Sequence, residues 1–342
     1  MKPTQRPIDP GKRTFVPPPP ELSPKASLNI LRVFACMLAV PFFFEIAAWF
    51  TPSKTNLAAS TVRSGMQWVL TRLLGEGNRF IYLGREGWLF EQHAIDRVVQ
   101  AKRGDAPLHA DMLKLAARLK AQETALMIVL IPDRVAIYPE QIRSGQYAGP
   151  VRVKEETARI EELKAAGADV LDMTDALWNF SERNQAFFSQ DSHWTPEAMK
   201  AVALALNKQV REKFPRLGNT ETPLINATLL EHTAAGDLAL RLDPQNAANL
   251  LGTEKASLIS IQGIDPDPKS PIVLHGGSLM RVFDDPGMSL GGGGREPRAG
   301  FATQFSTLMG RSLDVRGMPR PEEDHEDKKL VICLLPMAEL VP

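Results

Sequence analysis

Two hydrophobic periods alternate along most of the chain. "LHADMLKLAARLKAQE" (108–123) repeats its apolar positions at helical spacing and predicts an amphipathic helix. "ALMIVLI" (125–131), closed by Pro132, is a short continuous apolar run and predicts a buried strand. The same alternation continues. "KEETARIEELKAAG" predicts a helix stopped at Gly167, "ADVLDM" a strand, and "PEAMKAVALALNKQVREKF" a long helix closed by Pro215. "SPIVLHGGS" predicts a strand running into a glycine turn, "GFATQFSTLMG" a helix and "KKLVICLL" a last strand. Strands that alternate with helices imply an α/β fold, a mostly parallel sheet covered by helices on both faces. In such sheets the reacting groups lie beyond the carboxyl ends of the strands. No internal repeat is present.

The N-terminal region follows a different pattern. Residues 33–50, "VFACMLAVPFFFEIAAWF", hold one charge, Glu45, and one proline, Pro41. Extended back to Leu28, the run reaches the length a bilayer requires. Lys2, Arg6, Lys12, Arg13, Lys25 and Arg32 precede it against Asp9 and Glu21, an excess that holds the N-terminus in the cytoplasm. The expected organisation is a Pro-rich cytoplasmic tail at 1–26, a transmembrane anchor at 27–50, a membrane-proximal linker at 51–77 with a helical stretch, and a folded domain over 78–342. A cleaved signal peptide and a buried core helix are the competing readings; no tidy small-x-small cleavage site precedes Trp49.

Composition narrows the function classes. Of 342 residues, 40 are Lys or Arg and 40 Asp or Glu, so no bulk charge points to nucleic acid. The two cysteines, Cys36 and Cys333, make neither a disulfide framework nor a cysteine metal site.

Candidate chemistry gathers in two stretches. In "FFSQDSHWTPEA" (187–198), Asp191 and His193 sit just before a helix start marked by Thr195 and Pro196. They are either plain loop residues or an Asp that orients an imidazole base. In "IVLHGGSLMRVF" (272–283), Ser278 follows a strand and two glycines. A Ser on a strand-to-helix turn exposes its Oγ and leaves backbone N–H groups free for an oxyanion. His275 could instead join His193 and Asp191 at a metal. His93, His109, His232 and His325 read as surface or loop residues, and "PEEDHEDKK" (321–329) as a solvated loop. Trp88 and Phe90 read as core. Tyr138 fits either core or pocket wall, and Arg281 either a substrate contact or a structural ion pair. The "GGGG" run at 291–294 lacks the Lys-Ser/Thr of a phosphate loop and reads as loop.

Taken in order, "GREGWLF" (84–90), "IPDRVAIYPE" (131–140), "DSHWTP" (191–196), "GDLALRL" (236–242), "VLHGGS" (273–278) and "LVICLLPMAELV" (330–341) resemble the landmarks of the alginate O-acetyltransferase family, which carries an SGNH-hydrolase-like domain. The resemblance implies Ser278 as acylated nucleophile, His193 as its base and Asp191 as orienter; on the residues' own reading, backbone N–H groups at Gly277 and Ser278 would hold the oxyanion, and Arg281 and Tyr138 are candidate substrate contacts. It implies no cofactor and no metal. Gly277 stands where the family commonly has Asp or Thr, and Arg134 where it has Lys. The implied reaction is O-acetylation of an exopolysaccharide in the periplasm. The implied partners are the polysaccharide acceptor, an integral-membrane acyltransferase that supplies acetyl groups, and a polysaccharide secretion complex, with no nucleic acid. A carbohydrate acetyl esterase with the same triad and a non-catalytic glycan-binding scaffold are the alternatives.

The anchor carries its own test. Alkaline phosphatase fused after Pro342 is expected to be active, since it works only outside the cytoplasm. An inactive fusion made in normal amounts would refute the orientation.

Overall fold

The computed structural model describes residues 32, 63–100, 106–143, 145–218, 225–244, 246–288, 290 and 298–341. The tail at 1–26, the apolar run at 27–50 apart from Arg32, residues 51–62 and the glycine run at 291–294 lie outside them. No helix among the described residues is long and apolar enough to cross a membrane. One compact unit spans Ser64–Pro342.

In chain order the strands are β1 Ile81–Leu83, β2 Leu89–Glu91, β3 Ala125–Ile131, β4 Asp169–Asp172, β5 Asn226–Ala234, β6 Glu254–Gln262, β7 Ile272–Gly276, β8 Asp314–Arg316 and β9 Leu330–Pro336. The helices that matter here are α1 Pro107–Ala121, α2 Lys154–Ala165, α3 Pro196–Lys213, α4 Asp237–Leu242, α5 Ser278–Arg281 and α6 Phe301–Met309. Five strands form the central sheet in the order β4-β3-β9-β7-β8, and every pairing in it is parallel. β1 and β2 pair antiparallel, as do β5 and β6.

Local signals account for these boundaries. α3 starts where Thr195 Oγ1 accepts the Ala198 N–H at 3.2 Å and Pro196 supplies a preset φ. α1 also starts on a proline, Pro107. Gly167 takes φ +100° just after α2, a conformation an L side chain adopts only with strain.

Side chains alternate across the sheet. Met127, Val129 and Ile131 of β3, Ile332 and Leu334 of β9 and Ile272 and Leu274 of β7 face α3 and α6 in the larger core. Leu126, Ile128, Leu130, Val331, Cys333 and Val273 face α1 and α2 on the other side. Both faces are dry, which explains why these strands read as unbroken apolar runs. A third cluster joins Ile81 and Leu89 to Leu238, Leu242 and Leu250.

The period of two also places His275. It extends from β7 on the face opposite Leu274, toward α1. There its Nε2 lies 2.9 Å from His325 Nε2, and its Nδ1 lies 3.0 Å from Gly317 O. Gly317 O can only accept, so His275 Nδ1 carries the proton. His325 Nε2–H then donates to His275, and His325 Nδ1 accepts from Arg118 Nη2 at 2.9 Å. The metal grouping of His275 with His193 and Asp191 is therefore not formed. The ligand atoms of His275, Glu323 and His325 do lie close together, but both imidazoles are committed to this chain of hydrogen bonds. His109, 2% exposed within α1, is neither surface nor loop, and His325, 1% exposed, sits in a loop but not at the surface. Nor is 321–329 simply solvated: Lys328 is buried and pairs with Asp314 at 2.7 Å.

This pair makes the fold acid-sensitive. Burial, then the neighbouring His275 and the cations Arg118 and Arg316, lower the His325 pKa to about 4 from 6.5, and burial lowers that of His275. A depressed histidine contributes stability fully above its unfolded pKa of 6.5, and that contribution is lost as pH falls toward about 4. The melting temperature of His325→Gln is expected to fall less over that interval than that of the native chain. Parallel curves would disprove the assignment.

Candidate active site

A cavity of about 350 Å³ opens beyond the carboxyl ends of β3, β7 and β9. Its lining includes Asp133 and Arg134 after β3, Ser278 and Leu279 after β7, Pro336 and Glu339 at the end of β9, and Ser192, His193 and Asp237 from neighbouring loops. The chain order of these elements scatters them; the parallel sheet gathers them because all its strands end on one side.

The loop that carries Asp191 and His193 is clamped along its length. It begins and ends at an isolated antiparallel bridge, Phe187 to Trp194. Ser189 O accepts from Leu89 N and, at 2.8 Å, from Arg134 Nη2. Glu254, at the start of β6, accepts Ser189 N and Oγ, each at 2.7 Å, and Gln190 N at 3.2 Å. Gly236 lies against the backbone of the loop, so close that a Cβ there would fall 2.1 Å from Gln190 O and 2.7 Å from Asp191 N. That approach lets Asp237 N–H donate to Asp191 Oδ2 at 2.8 Å, at the start of α4. The Asp237 carboxylate in turn accepts Ser192 N at 2.6 Å and Ser192 Oγ at 2.7 Å.

Asp191, 0% exposed, uses its other oxygen on the imidazole: Oδ1 lies 2.6 Å from His193 Nδ1. Nδ1 therefore holds the proton, and Nε2 keeps a free lone pair. Nε2 is buried and has no hydrogen-bond partner, while His193 lines the cavity. Burial pushes the His193 pKa down, but the hydrogen bond and charge of Asp191 outweigh it and leave the pKa raised. The result is an oriented imidazole whose basic nitrogen is buried and unpaired, on a residue that lines the cavity.

Ser278 is the first residue of α5, exposed, and lines the same cavity. It makes no hydrogen bond to His193. Gly277 caps α5 with φ −99°. A Cβ there would meet Met318 Sδ at 3.1 Å and no backbone atom, so the fold does not enforce glycine at this position. Gly276 is different: its added Cβ would sit 2.9 Å from Met280 Cβ. Arg281 lines a separate cavity of about 540 Å³ and pairs with Asp285. Tyr138 is a core residue. Its ring packs 4.2 Å from Trp88, its hydroxyl accepts Ala186 N at 2.7 Å, and it is not among the residues that line the Ser278 cavity.

The carboxylates here could attract a cation, since ligand atoms of Asp191, His193 and Asp237 lie within 4.8 Å of one another. Those of Asp191 and Asp237 and the Nδ1 of His193 already serve hydrogen bonds within the protein, and only His193 Nε2 remains open.

A sequence profile of the family described as the SGNH hydrolase-like domain of the acetyltransferase AlgX matches residues 81–280. The chain belongs to this family. Relatives of the chain include probable alginate O-acetylases AlgJ. The one from Pseudomonas syringae pv. tomato is 25% identical over 177 residues, 51% of this chain and 44% of the relative. The one from Pseudomonas fluorescens is 27% identical over 178 residues, with the same coverage. The chain thus spans about half the length of the curated relatives it matches. The O-acetyltransferase domain of Pseudomonas putida AlgJ superimposes with a TM-score of 0.55 at 17% identity, over 76% of this chain and 91% of that one. Pseudomonas aeruginosa AlgX gives 0.52 at 17% identity, over 75% and 62%. These likenesses establish the AlgX-type SGNH fold.

Several members of this site had no individual signal in the sequence. Gly236 and Asp237 stand in a recognisable motif, but only the structure shows why: one permits close backbone contact and the other holds Asp191 and Ser192. Glu254 lies 63 residues from Asp191 and carries no local signature. Arg134, 7% exposed, is wedged over the rings of Trp88 and Phe90 at 5.4 and 5.2 Å. Burial lowers its pKa to about 10, so it keeps its charge at neutral pH.

Gly236→Ala should destabilise the protein by about 1–3 kcal/mol, because the obstructing atoms are backbone. It should also remove the downfield Nδ1 proton resonance that a short Asp191–His193 bond produces. Gly277→Ala, which meets only a flexible Met318 side chain, should keep that resonance. Proton NMR of the two variants checks both expectations, and an unchanged resonance in Gly236→Ala would contradict the first.

Proposed function

We propose that the chain is an O-acetyltransferase that moves an acetyl group to hydroxyls of an exopolysaccharide, alginate or a similar polymer, through an acetyl-Ser278 intermediate. The observation that carries this reading is the His193 ring, locked by Asp191 at 2.6 Å with its buried Nε2 left without a partner, on a residue that lines the same cavity as Ser278. Membership of the AlgX family and the names of the AlgJ relatives support the choice of acetyl as the group and polysaccharide as the acceptor.

The steps follow from acid–base chemistry. When an acetyl donor enters the cavity, Ser278 Oγ turns toward His193 and gives its proton to Nε2. Catalytic hydrogen bonds of this kind commonly tighten only once substrate is bound. The oxygen attacks the acetyl carbonyl carbon, and the developing oxyanion is met by backbone N–H groups at Gly277 and Ser278. Such a donor is typically worth about 3–4 kcal/mol. The leaving group takes the proton from His193 as its bond to the acetyl carbon breaks. In the second half, His193 takes the proton of a sugar hydroxyl, that oxygen attacks the acetyl-Ser278 carbonyl, and the proton returns to Ser278. Asp191 keeps the tautomer and stabilises the imidazolium in both halves.

The cellular setting belongs to the same proposal. The apolar run at 27–50 anchors the chain once in the inner membrane, with the N-terminus cytoplasmic and the folded unit periplasmic. An integral-membrane acyltransferase then delivers acetyl groups from the cytoplasmic side, and a secretion complex supplies the polymer.

Intact mass spectrometry after incubation with an activated acetyl ester is expected to show one acetyl group on Ser278, transferred when uronate oligosaccharide is added. Release of free acetate at the same rate with and without every acceptor would favour an esterase. No acetyl-enzyme, with oligosaccharide binding retained, would favour a scaffold. The base must be neutral, so acylation should rise with pH through a midpoint above the ordinary histidine value of 6.5. Asp191→Asn should lower both that midpoint and the rate, the latter by up to about 10⁴-fold.

A further inference from the structure

The helix over 63–74 is built inside out. Its residues Ser64, Gln67 and Thr71 fall at i, i+3 and i+7, on one face, and that polar face is the one turned to the folded unit. Gln67 and Thr71 are 8% and 6% exposed. Ser64 Oγ donates to Asp243 Oδ1 at 2.9 Å, Gln67 Nε2 donates to Thr71 Oγ1 at 2.9 Å, and Thr71 Oγ1 donates to Glu76 O at 3.3 Å. The opposite face carries Met66, Val69, Leu70 and Leu73, the i, i+3, i+4, i+7 stripe that normally faces a core. Met66 is 57% and Leu73 67% exposed. Leu74, also exposed, flanks it, and Phe80 follows at 49% with Arg79 over its ring at 4.4 Å.

We infer that this stripe lies in the interfacial layer of a lipid bilayer. Two observations select lipid over other occupants. Residues 63–80 carry Arg63, Arg72 and Arg79 against one acid, Glu76, an excess that suits anionic headgroups. The apolar run of 33–50 ends at Phe50, so residues 51–62 can extend at most about 40 Å from it. An anchored chain therefore holds the stripe within reach of the bilayer surface. The inference rests on the anchor reading given under the proposed function, and it adds that the folded unit is docked on the membrane and not merely tethered to it.

The test uses the full chain with Cys36→Ser, so that an introduced thiol is the reactive one; Cys333 is buried. An environment-sensitive fluorophore is placed at Met66→Cys, at Leu73→Cys or, for comparison, at Leu229→Cys, an exposed apolar position on β5. The protein is reconstituted into phosphatidylethanolamine–phosphatidylglycerol vesicles that contain a lipid with a nitroxide near its headgroup. Quenching at positions 66 and 73 is expected to exceed that at 229 by about threefold or more, as shallow interfacial burial requires. Equal quenching at all three positions in a chain that floats with the vesicles overturns the docking and leaves the anchor standing. Shielding at 66 and 73 that follows protein concentration in detergent overturns it in favour of a second copy of the chain. A chain that does not float overturns the anchor reading and this inference with it.

Discussion

One backbone contact underlies the candidate site. Gly236 lies against Gln190 and Asp191 with no room for a Cβ. Because of that, the first N–H of α4 reaches Asp191 Oδ2, leaving Oδ1 for His193. A carboxylate with both oxygens engaged cannot rotate, and an imidazole bonded to it cannot flip. The tautomer that leaves Nε2 basic is thus set by a contact 43 residues further along the chain. Hydrogen bonds to a buried carboxylate are among the stronger ones, about 1.5–3 kcal/mol each, which is enough to hold the ring in place.

The electrostatics around the pair are dense. Asp237 and Glu254 are both pushed toward their neutral forms, chiefly by burial. Arg134 is the cation that faces this group, held by a single bond to Ser189 O, with its Nε and Nη1 lacking hydrogen-bond partners. Its value to the fold is its charge and its contact with two aromatic rings, and not a full set of hydrogen bonds. A lysine at this position would keep the charge and lose the planar stacking. That is the physical content of the change from the family's usual residue.

Polar groups also organise the far side of the sheet. The Arg118–His325–His275–Gly317 chain runs under β7 just before the turn that carries Ser278. Met318, next to Gly317, lies beside Gly277. The turn is therefore supported from beneath by hydrogen bonds on the face opposite the cavity, while the cavity side is left to His193. In the helix over 63–74 the usual arrangement is reversed, and polar side chains meet the folded unit while apolar ones face outward.

Much of this was legible in the sequence. Parallel strands buried on both faces must be continuous apolar runs, so β3, β7 and β9 announce themselves, as do α1, α2, α3 and α6 by their 3.6-residue period. Thr195 and Pro196 mark a helix start on local grounds alone, and the Asp191, His193 and Ser278 positions stand out because those residue types sit at chain turns. β5 was not legible, because most of its side chains are exposed and its stability comes from pairing with β6. The role of His275 was not legible either. It depends on which face of the sheet β7 presents and on which residues of 317–325 return beneath it. Glu254, Asp237 and Arg134 act on the Asp191–His193 loop across 44 to 63 residues of chain. Sequence determines local conformation because neighbouring residues interact whatever the fold does. Which distant groups share a cavity, and which proton an imidazole carries, were decided only by the tertiary structure, since those contacts exist only after the chain has closed its sheet.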